Sequence, residues 1–231
     1  MCNSANFLKK IDILQAQQDK MPLVLKKDEN DFSIRIWHST ESFEELLKTE
    51  ALSSADKKKW ENFQSDKRKR EWLTVRVLLR TFFPASTLPL ITYDQFGKPS
   101  LDINRGISIS HTKEFVAIII TDKANAGIDI ETLRDRITVL SSKFCNKEEL
   151  NAVPALNRIE YLHVLWGAKE VLYKLHGRGE MDFRAHLHIE PFQFEKKGTV
   201  NASVHKNDRS SSHLIAYQLW NNMMLTYSTS D

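Results

Sequence analysis

In Ala126-Gly-Ile-Asp-Ile-Glu131, two carboxylates alternate with Ile128 and Ile130. Alternation of this kind marks a strand, and its period of two sends Asp129 and Glu131 out of the same face. Two acids so placed repel each other, and a hard cation bound between them, Mg²⁺ first of all, would relieve the repulsion. An isolated Asp-x-Glu is more often the solvated face of a strand, so the pair needs company. A second charged set follows in Trp166-Gly-Ala-Lys-Glu-Val-Leu-Tyr-Lys174, where Glu170 and Lys174 stand four apart and share a helix face. An exposed ion pair of roughly a few tenths of a kcal/mol would account for those two alone. Trp166 lies on the same stripe, which points to a face that packs or binds.

Basic residues gather elsewhere. Lys67, Arg68, Lys69 and Arg70 crowd the start of a helical stretch. A solvated basic helix end explains most of them, while arginine is the better bidentate donor should a phosphate be present. Lys98 is held between Gly97 and Pro99 in a turn, and His111 follows the alternating run Ile107-Ser-Ile-Ser110 at another. The chain as a whole is nearly balanced, with 33 basic and 30 acidic residues and a net charge of +3, so composition gives no argument for nucleic acid. Cys2 and Cys145 form neither a metal spacing nor a disulfide framework, which suits a reducing compartment. No apolar run approaches the ~20 residues of a membrane span, and the first residues lack the order of a secretory signal. The expectation is a soluble, cytoplasmic protein.

The elements that must position these residues follow from periodicity. Residues 1 to 21 show no convincing period and are given no function. Pro22 to Leu25 and Phe32 to Trp37 read as strands around a polar turn. Thr40 or Ser42 caps a helix through Leu47, and Ser53 or Ser54 a second through Phe63. A longer helix covers Asp66 to Phe83, with Trp72, Leu73, Val75, Leu78 and Leu79 as its apolar face and Pro84 as its stop. Leu88 to Tyr93, Ile107 to Ser110, Phe115 to Thr121 and Ala126 to Glu131 read as strands, the last three as an antiparallel meander. Helices are then expected over Ile137 to Phe144, Lys147 to Val153 and Asn157 to His176, with Gly177 as the stop of the last. Strands follow near Ala185 to Ile189, Thr199 to Val204, Ser212 to Leu219 and Met223 to Thr226. The second half thus repeats the helix-then-strands order of the first, without a residue-level repeat.

Asp-Ile-Glu followed about forty residues later by Trp-x-x-Lys-Glu-x-x-x-Lys resembles the 4'-phosphopantetheinyl transferases, most closely their longer, Sfp-type class of two fused halves. Four more segments occur in that family's order: Arg70-Glu-Trp-Leu73, Phe96-Gly-Lys-Pro99, Ser108-Ile-Ser-His111 and Phe144-Cys-Asn-Lys-Glu148. Each is weakly specific and their ordered conjunction is strong. The matches span about residues 60 to 175, leaving 1 to 50 and 180 to 231 with little family signal.

The resemblance implies transfer of the phosphopantetheine arm of coenzyme A to a serine of an apo acyl or peptidyl carrier protein, releasing adenosine 3',5'-bisphosphate. It implies Mg²⁺, with Mn²⁺ as the alternative, held by Asp129, Glu131 and Glu170. Lys174 would hold the pyrophosphate, and Glu148 or Glu170 would take the serine's proton. His111 and Arg70, with Lys59 as a further basic contact, would bind the 3'-phosphate, while Lys98 and Ser110 would line the nucleotide end. Thr112, Gly167 and Val171 depart from the family's usual residues and touch pocket shape more than charge. The fold expected is α+β, with two pseudo-symmetric halves, 1–125 and 126–231, each a long helix packed on a small mainly antiparallel sheet with coenzyme A between them. A monomer is expected, with no nucleic-acid or membrane partner. Two other readings share the acids: a Mg²⁺-dependent nucleotide-diphosphate hydrolase, and a catalytically silent module that binds coenzyme A or a carrier.

Overall fold

The computed structural model describes residues 22–49, 54–176 and 181–231. Ser53 and Gly177, expected as helix cap and helix stop, lie outside the described residues, as do residues 1 to 21. Eleven strands and six helices are described. The first sheet is built from β1 (Leu23–Asp28), β2 (Phe32–His38), β5 (Gly106–Thr112) and β6 (Phe115–Thr121), in the order β1-β2-β6-β5 and antiparallel throughout. The second comprises β7 (Asn125–Thr132), β8 (Leu187–Ile189), β9 (Lys197–Lys206), β10 (Arg209–Trp220) and β11 (Met223–Ser230), in the order β7-β11-β10-β9-β8 and again antiparallel. A two-stranded ribbon, β3 (Ile91–Tyr93) with β4 (Pro99–Leu101), stands apart.

Helices α1 (Phe43–Thr49), α2 (Ser54–Glu61) and α3 (Asp66–Leu79) belong to the first sheet, and α4 (Arg136–Phe144), α5 (Lys147–Ala152) and α6 (Arg158–His176) to the second. Ser42 caps α1 by accepting from the Glu45 amide at 3.2 Å, while the Glu45 carboxylate accepts from the Ser42 amide at 2.9 Å. Trp72, Leu73, Val75 and Leu78 of α3 bury against Ile107, Val116, Ile118 and Ile120 of β5 and β6. Leu162, Leu165, Ala168 and Leu172 of α6 bury against Val200, Val204 and Ile215 of the second sheet. A third core lies between the sheets, where Ile34, Ile36, Ala117 and Ile119 meet Ile128, Ile130, Leu225 and Tyr227. The layers therefore run helix, sheet, sheet, helix. This is the expected α+β class, with one long helix on an antiparallel sheet in each half.

The expected meander breaks at its third strand. β7 pairs with β11 and leaves β6, because its two faces have different covers. Ile128 and Ile130 face the inter-sheet core, and Gly127 and Asp129 face α6. β7 and β5 are instead two sheet edges lying side by side, joined by serine hydroxyls: Ser108 Oγ accepts from the Ile128 amide at 3.2 Å and Ser110 Oγ from the Ile130 amide at 3.3 Å. Smaller differences are local. α3 stops at Leu79, short of Phe83, its last turns closed by Arg80 and Thr81 amides on Leu78 and its neighbours. The expected strand over 88–93 is limited to β3, and Pro99, read as the end of a turn, begins the strand β4 that pairs with it. His111 is inside β5, since the hairpin turns only at Lys113 and Glu114, with Lys113 at φ 44°.

One buried ion pair ties the second half together. Lys169 of α6 is wholly buried, and its Nζ donates to Glu149 Oε2 at 2.6 Å and to the carbonyls of Phe144 and Phe183 at 2.9 Å. Glu149 Oε1 accepts from the Ile189 amide at 3.0 Å, and Glu149 also closes a capping box with Asn146 at the start of α5.

Candidate active site

The acids of β7 meet α6 because the helix approaches that strand very closely. A Cβ on Gly127 would lie 2.7 Å from the Val171 carbonyl oxygen, and one on Gly167 would lie 2.5 Å from Thr226 Oγ1. Gly167 weakens a helix by ~1 kcal/mol relative to alanine, and here that cost permits the seat on β11 that brings Glu170 and Lys174 over β7. Lys174 Nζ donates to Asp129 Oδ1 at 2.8 Å and to the Ile128 carbonyl at 2.7 Å. Ser110 Oγ, from the first half, donates to the same Oδ1 at 2.9 Å. Asp129 Oδ2 is buried and has no hydrogen-bond partner among the described residues.

Glu131 and Glu170 are half-buried around this carboxylate. Burial pushes the Glu131 carboxyl up to about 7, with the Asp129 charge adding to the shift. Burial first, then the Asp129 charge and that of Glu131, push Glu170 up to about 7 as well. Among the described residues no three acidic, histidine or cysteine side chains converge as they stand on one metal point. The donor set nevertheless fits a hard divalent cation. It offers three carboxylates, an orphaned inward oxygen and a mutual repulsion that positive charge would relieve.

The repulsion predicts an effect on stability. In the folded protein Glu170 keeps a proton up to about pH 7, whereas its ordinary value is 4.5. Stability therefore falls as the pH rises between those values and the penalty is complete above the higher one. Without divalent cations, Glu170→Gln is expected to unfold at higher urea than the unaltered chain at about pH 8, by about 2 kcal/mol, with the difference closing toward about pH 5. Urea titrations of both proteins at the two pH values check it.

On the first half, a recess of about 260 Å³ is lined by Lys59, Arg68, Glu71, Tyr93, Gly97 and His111. Lys59 Nζ sits 5.1 Å from the centre of the Tyr93 ring. His111 is exposed by surface area, yet protein atoms crowd its ring enough for desolvation to hold its pKa below the ordinary value. Its exposure is what decides its access to a ligand. Arg70 is not in this recess. Two residues along a helix turn a side chain by ~200°, so Arg68 faces the recess while Arg70 packs on the Phe43 ring at 4.9 Å and donates to the Glu41 carbonyl. Lys98 spans the halves, its Nζ 3.3 Å from Asn125 Oδ1 and 3.4 Å from the Leu175 carbonyl. Ser110 is buried in the seam between β5 and β7, bonded to Asp129, and is not a lining residue of the recess.

A larger recess of about 600 Å³ opens beside Glu131, with Arg134, Arg136 and Lys143 on its rim and Phe144 and Trp166 among its apolar walls. Trp166 meets Phe144 edge-on at 5.2 Å, so its stripe of α6 does pack, as its position on the helix suggests. Glu148 is exposed on the first turn of α5, and its neighbour Glu149 turns inward to Lys169. Glu149 and Arg68 are not among the site residues expected from the sequence. Asn146-x-x-Glu149 was the available signal for the first, and the face shared with Glu71, Trp72 and Val75 for the second.

Residues 125–225 match the model of the 4'-phosphopantetheinyl transferase superfamily, so the second half of the chain carries that family's pattern. Among its relatives, a protein named 4'-phosphopantetheinyl transferase AcpT from Escherichia coli (strain K12) is 30% identical over 117 residues, covering 48% of this chain and 59% of that protein. The AcpT of Salmonella typhi is 28% identical over the same length, covering 48% and 60%. A putative 4'-phosphopantetheinyl transferase, slr0495, from Synechocystis sp. (strain ATCC 27184 / PCC 6803 / Kazusa) is 27% identical over 142 residues, 55% of this chain and 58% of that protein. The chain spans a little under two thirds of the length of these curated relatives. The family resemblance holds, without distinguishing the two-half class. No helix among the described residues is long and apolar enough to cross a membrane.

Proposed function

We propose that this chain transfers the 4'-phosphopantetheine arm of coenzyme A to a serine of an apo acyl or peptidyl carrier protein and releases adenosine 3',5'-bisphosphate. The observation that carries this reading is the gathering of Asp129, Glu131 and Glu170 with Lys174 where α6 crosses β7, within the residues that match the family. The two halves divide the work, 1–125 contacting the nucleotide and 126–231 holding the acids, so one chain working as a monomer suffices.

Lys59, Arg68 and His111 take the adenosine 3'-phosphate, Arg68 filling the part expected of Arg70. Lys174 acts as a point charge on the pyrophosphate. Asp129, Glu131 and Glu170 would hold Mg²⁺, which when bound supplies charge stabilisation to the phosphate under attack and to the leaving group. The attacking serine's proton passes to a carboxylate of this chain, Glu170 within the acid group or Glu148, exposed on the first turn of α5. The cationic rim of the larger recess, Arg134, Arg136 and Lys143, suits an acidic carrier approaching beside Glu131.

His111→Ala is expected to raise the KM for coenzyme A about ten-fold with kcat nearly kept, since it removes one phosphate contact remote from the reacting atoms. Steady-state rates against coenzyme A concentration check it. The test of the activity is incubation with coenzyme A, Mg²⁺ and an apo carrier protein, reading the carrier's mass. A gain of one phosphopantetheine supports the proposal. Hydrolysis of coenzyme A with the carrier unmodified, or binding without turnover, overturns it.

A further inference from the structure

Ser110 does something that its place beside His111 does not suggest. It is buried at the seam between the two sheets, and its hydroxyl has two partners, both on β7. Oγ accepts from the Ile130 amide at 3.3 Å and donates to Asp129 Oδ1 at 2.9 Å. The amide can only donate and the carboxylate can only accept, so the direction of the hydroxyl proton is fixed. Together with Lys174, it saturates Oδ1 and leaves Oδ2 as the orphaned oxygen of the same carboxylate. Ser108, two residues earlier on the same face of β5, makes the matching contact with the Ile128 amide at 3.2 Å. No carboxylate stands at the matching position, because the residue before Ile128 is Gly127 whereas the residue before Ile130 is Asp129. The seam therefore contains two serines with the same backbone contact, of which one also orients an acid.

We infer that Ser110 is a positioning residue of the first half for the cation site of the second: its hydroxyl locks the Asp129 carboxylate so that Oδ2 is presented to a divalent metal ion. The inference rests on the metal role given above to Asp129. It also sets Ser110 apart from the nucleotide, and it makes the metal affinity of the second half depend on a side chain that the first half supplies. The energetic basis is the fixing of ligand orientation by an outer hydrogen bond, whose loss typically weakens metal binding by about 10- to 100-fold.

The test measures Mn²⁺ binding to the full chain without coenzyme A, by titration calorimetry, for the unaltered protein, Ser110→Ala and Ser108→Ala. Thermal unfolding of all three gives the structural cost of losing either seam hydroxyl. The expected result is a Kd raised about ten-fold or more by Ser110→Ala and changed less than about two-fold by Ser108→Ala, with similar losses of Tm. In the transfer assay, Ser110→Ala should need more Mg²⁺ to reach half its maximal rate while its KM for coenzyme A at saturating Mg²⁺ stays put. Equal Mn²⁺ affinities in Ser110→Ala and the unaltered protein would overturn the positioning role and leave the metal reading standing. A raised KM for coenzyme A with unchanged metal affinity would return Ser110 to the nucleotide. Absence of Mn²⁺ binding by the unaltered chain would overturn the metal reading and this inference with it.

Discussion

Asp129→Ala is expected to lower phosphopantetheine transfer by about 10³-fold or more, and raising Mg²⁺ should not recover it. The size follows from what the carboxylate holds. Its Oδ1 anchors Lys174 and Ser110, and its Oδ2 is the one buried acidic oxygen in the group left without a partner. In the proposed reading alanine would remove a metal ligand and free Lys174 from one of its two contacts, so that both charges assigned to the pyrophosphate would change together. A simple weakening of metal affinity would be corrected by mass action, whereas the loss of an arrangement would not. Folding should survive, since the substitution removes a charge that repels Glu131 and Glu170. Rates of carrier mass gain across a Mg²⁺ titration, beside a urea curve for the same variant, separate these outcomes. Unchanged transfer would end the assignment of Asp129 to the metal.

Lys169→Ala should have the largest effect on stability, a loss of about 3–5 kcal/mol. Nζ has three partners, and none is replaced by solvent once the chain is folded, because the lysine is fully buried and Glu149 nearly so. Truncation leaves the Glu149 carboxylate without a counter-charge and two carbonyls without a donor. Desolvation holds the Lys169 pKa below its ordinary value, against the pull of Glu149, so the pair is a costly one that persists through its geometry. Urea unfolding of Lys169→Ala measures the loss. The double variant Lys169→Met with Glu149→Leu should recover much of it, which a merely cavity-forming change would not allow. A loss under about 1 kcal/mol in the single variant would mean that water reaches the pair.

Lys169 sits in Trp166-Gly-Ala-Lys-Glu-Val-Leu-Tyr-Lys174, whose last residue holds Asp129, and the two show what a sequence can reveal. Helix α6 was legible because its apolar positions recur at the helical period over nineteen residues. The strands β9 to β11 were legible by alternation, and the facing of Asp129 and Glu131 from the same rule. Four things were not legible. The partner of β7 depends on a strand about a hundred residues away, which no local pattern encodes. Arg68 and Arg70 differ only in helix phase, and the basic run is uniform in composition, so choosing between them needs the position of the recess. Ser110 reads as a polar strand residue beside a histidine, and its role appears only when the edge of one sheet is laid against the edge of the other. A lysine in a helix is ordinarily solvent-facing, and the burial of Lys169 is made tolerable by Glu149 and two carbonyls that its own helix does not supply.

Ile128 and Ile130 close the inter-sheet core from the same strand whose other face carries the acids. The strand is thus a shared wall. Its greasy side belongs as much to the first half as to the second, and neither half alone could keep that side dry. Evolution can alter the recess beside His111 or the cationic recess beside Glu131 piecemeal, each on its own outer surface. It cannot loosen the partition without moving the acids, which makes the least chemical-looking residues of the strand guardians of the most chemical ones.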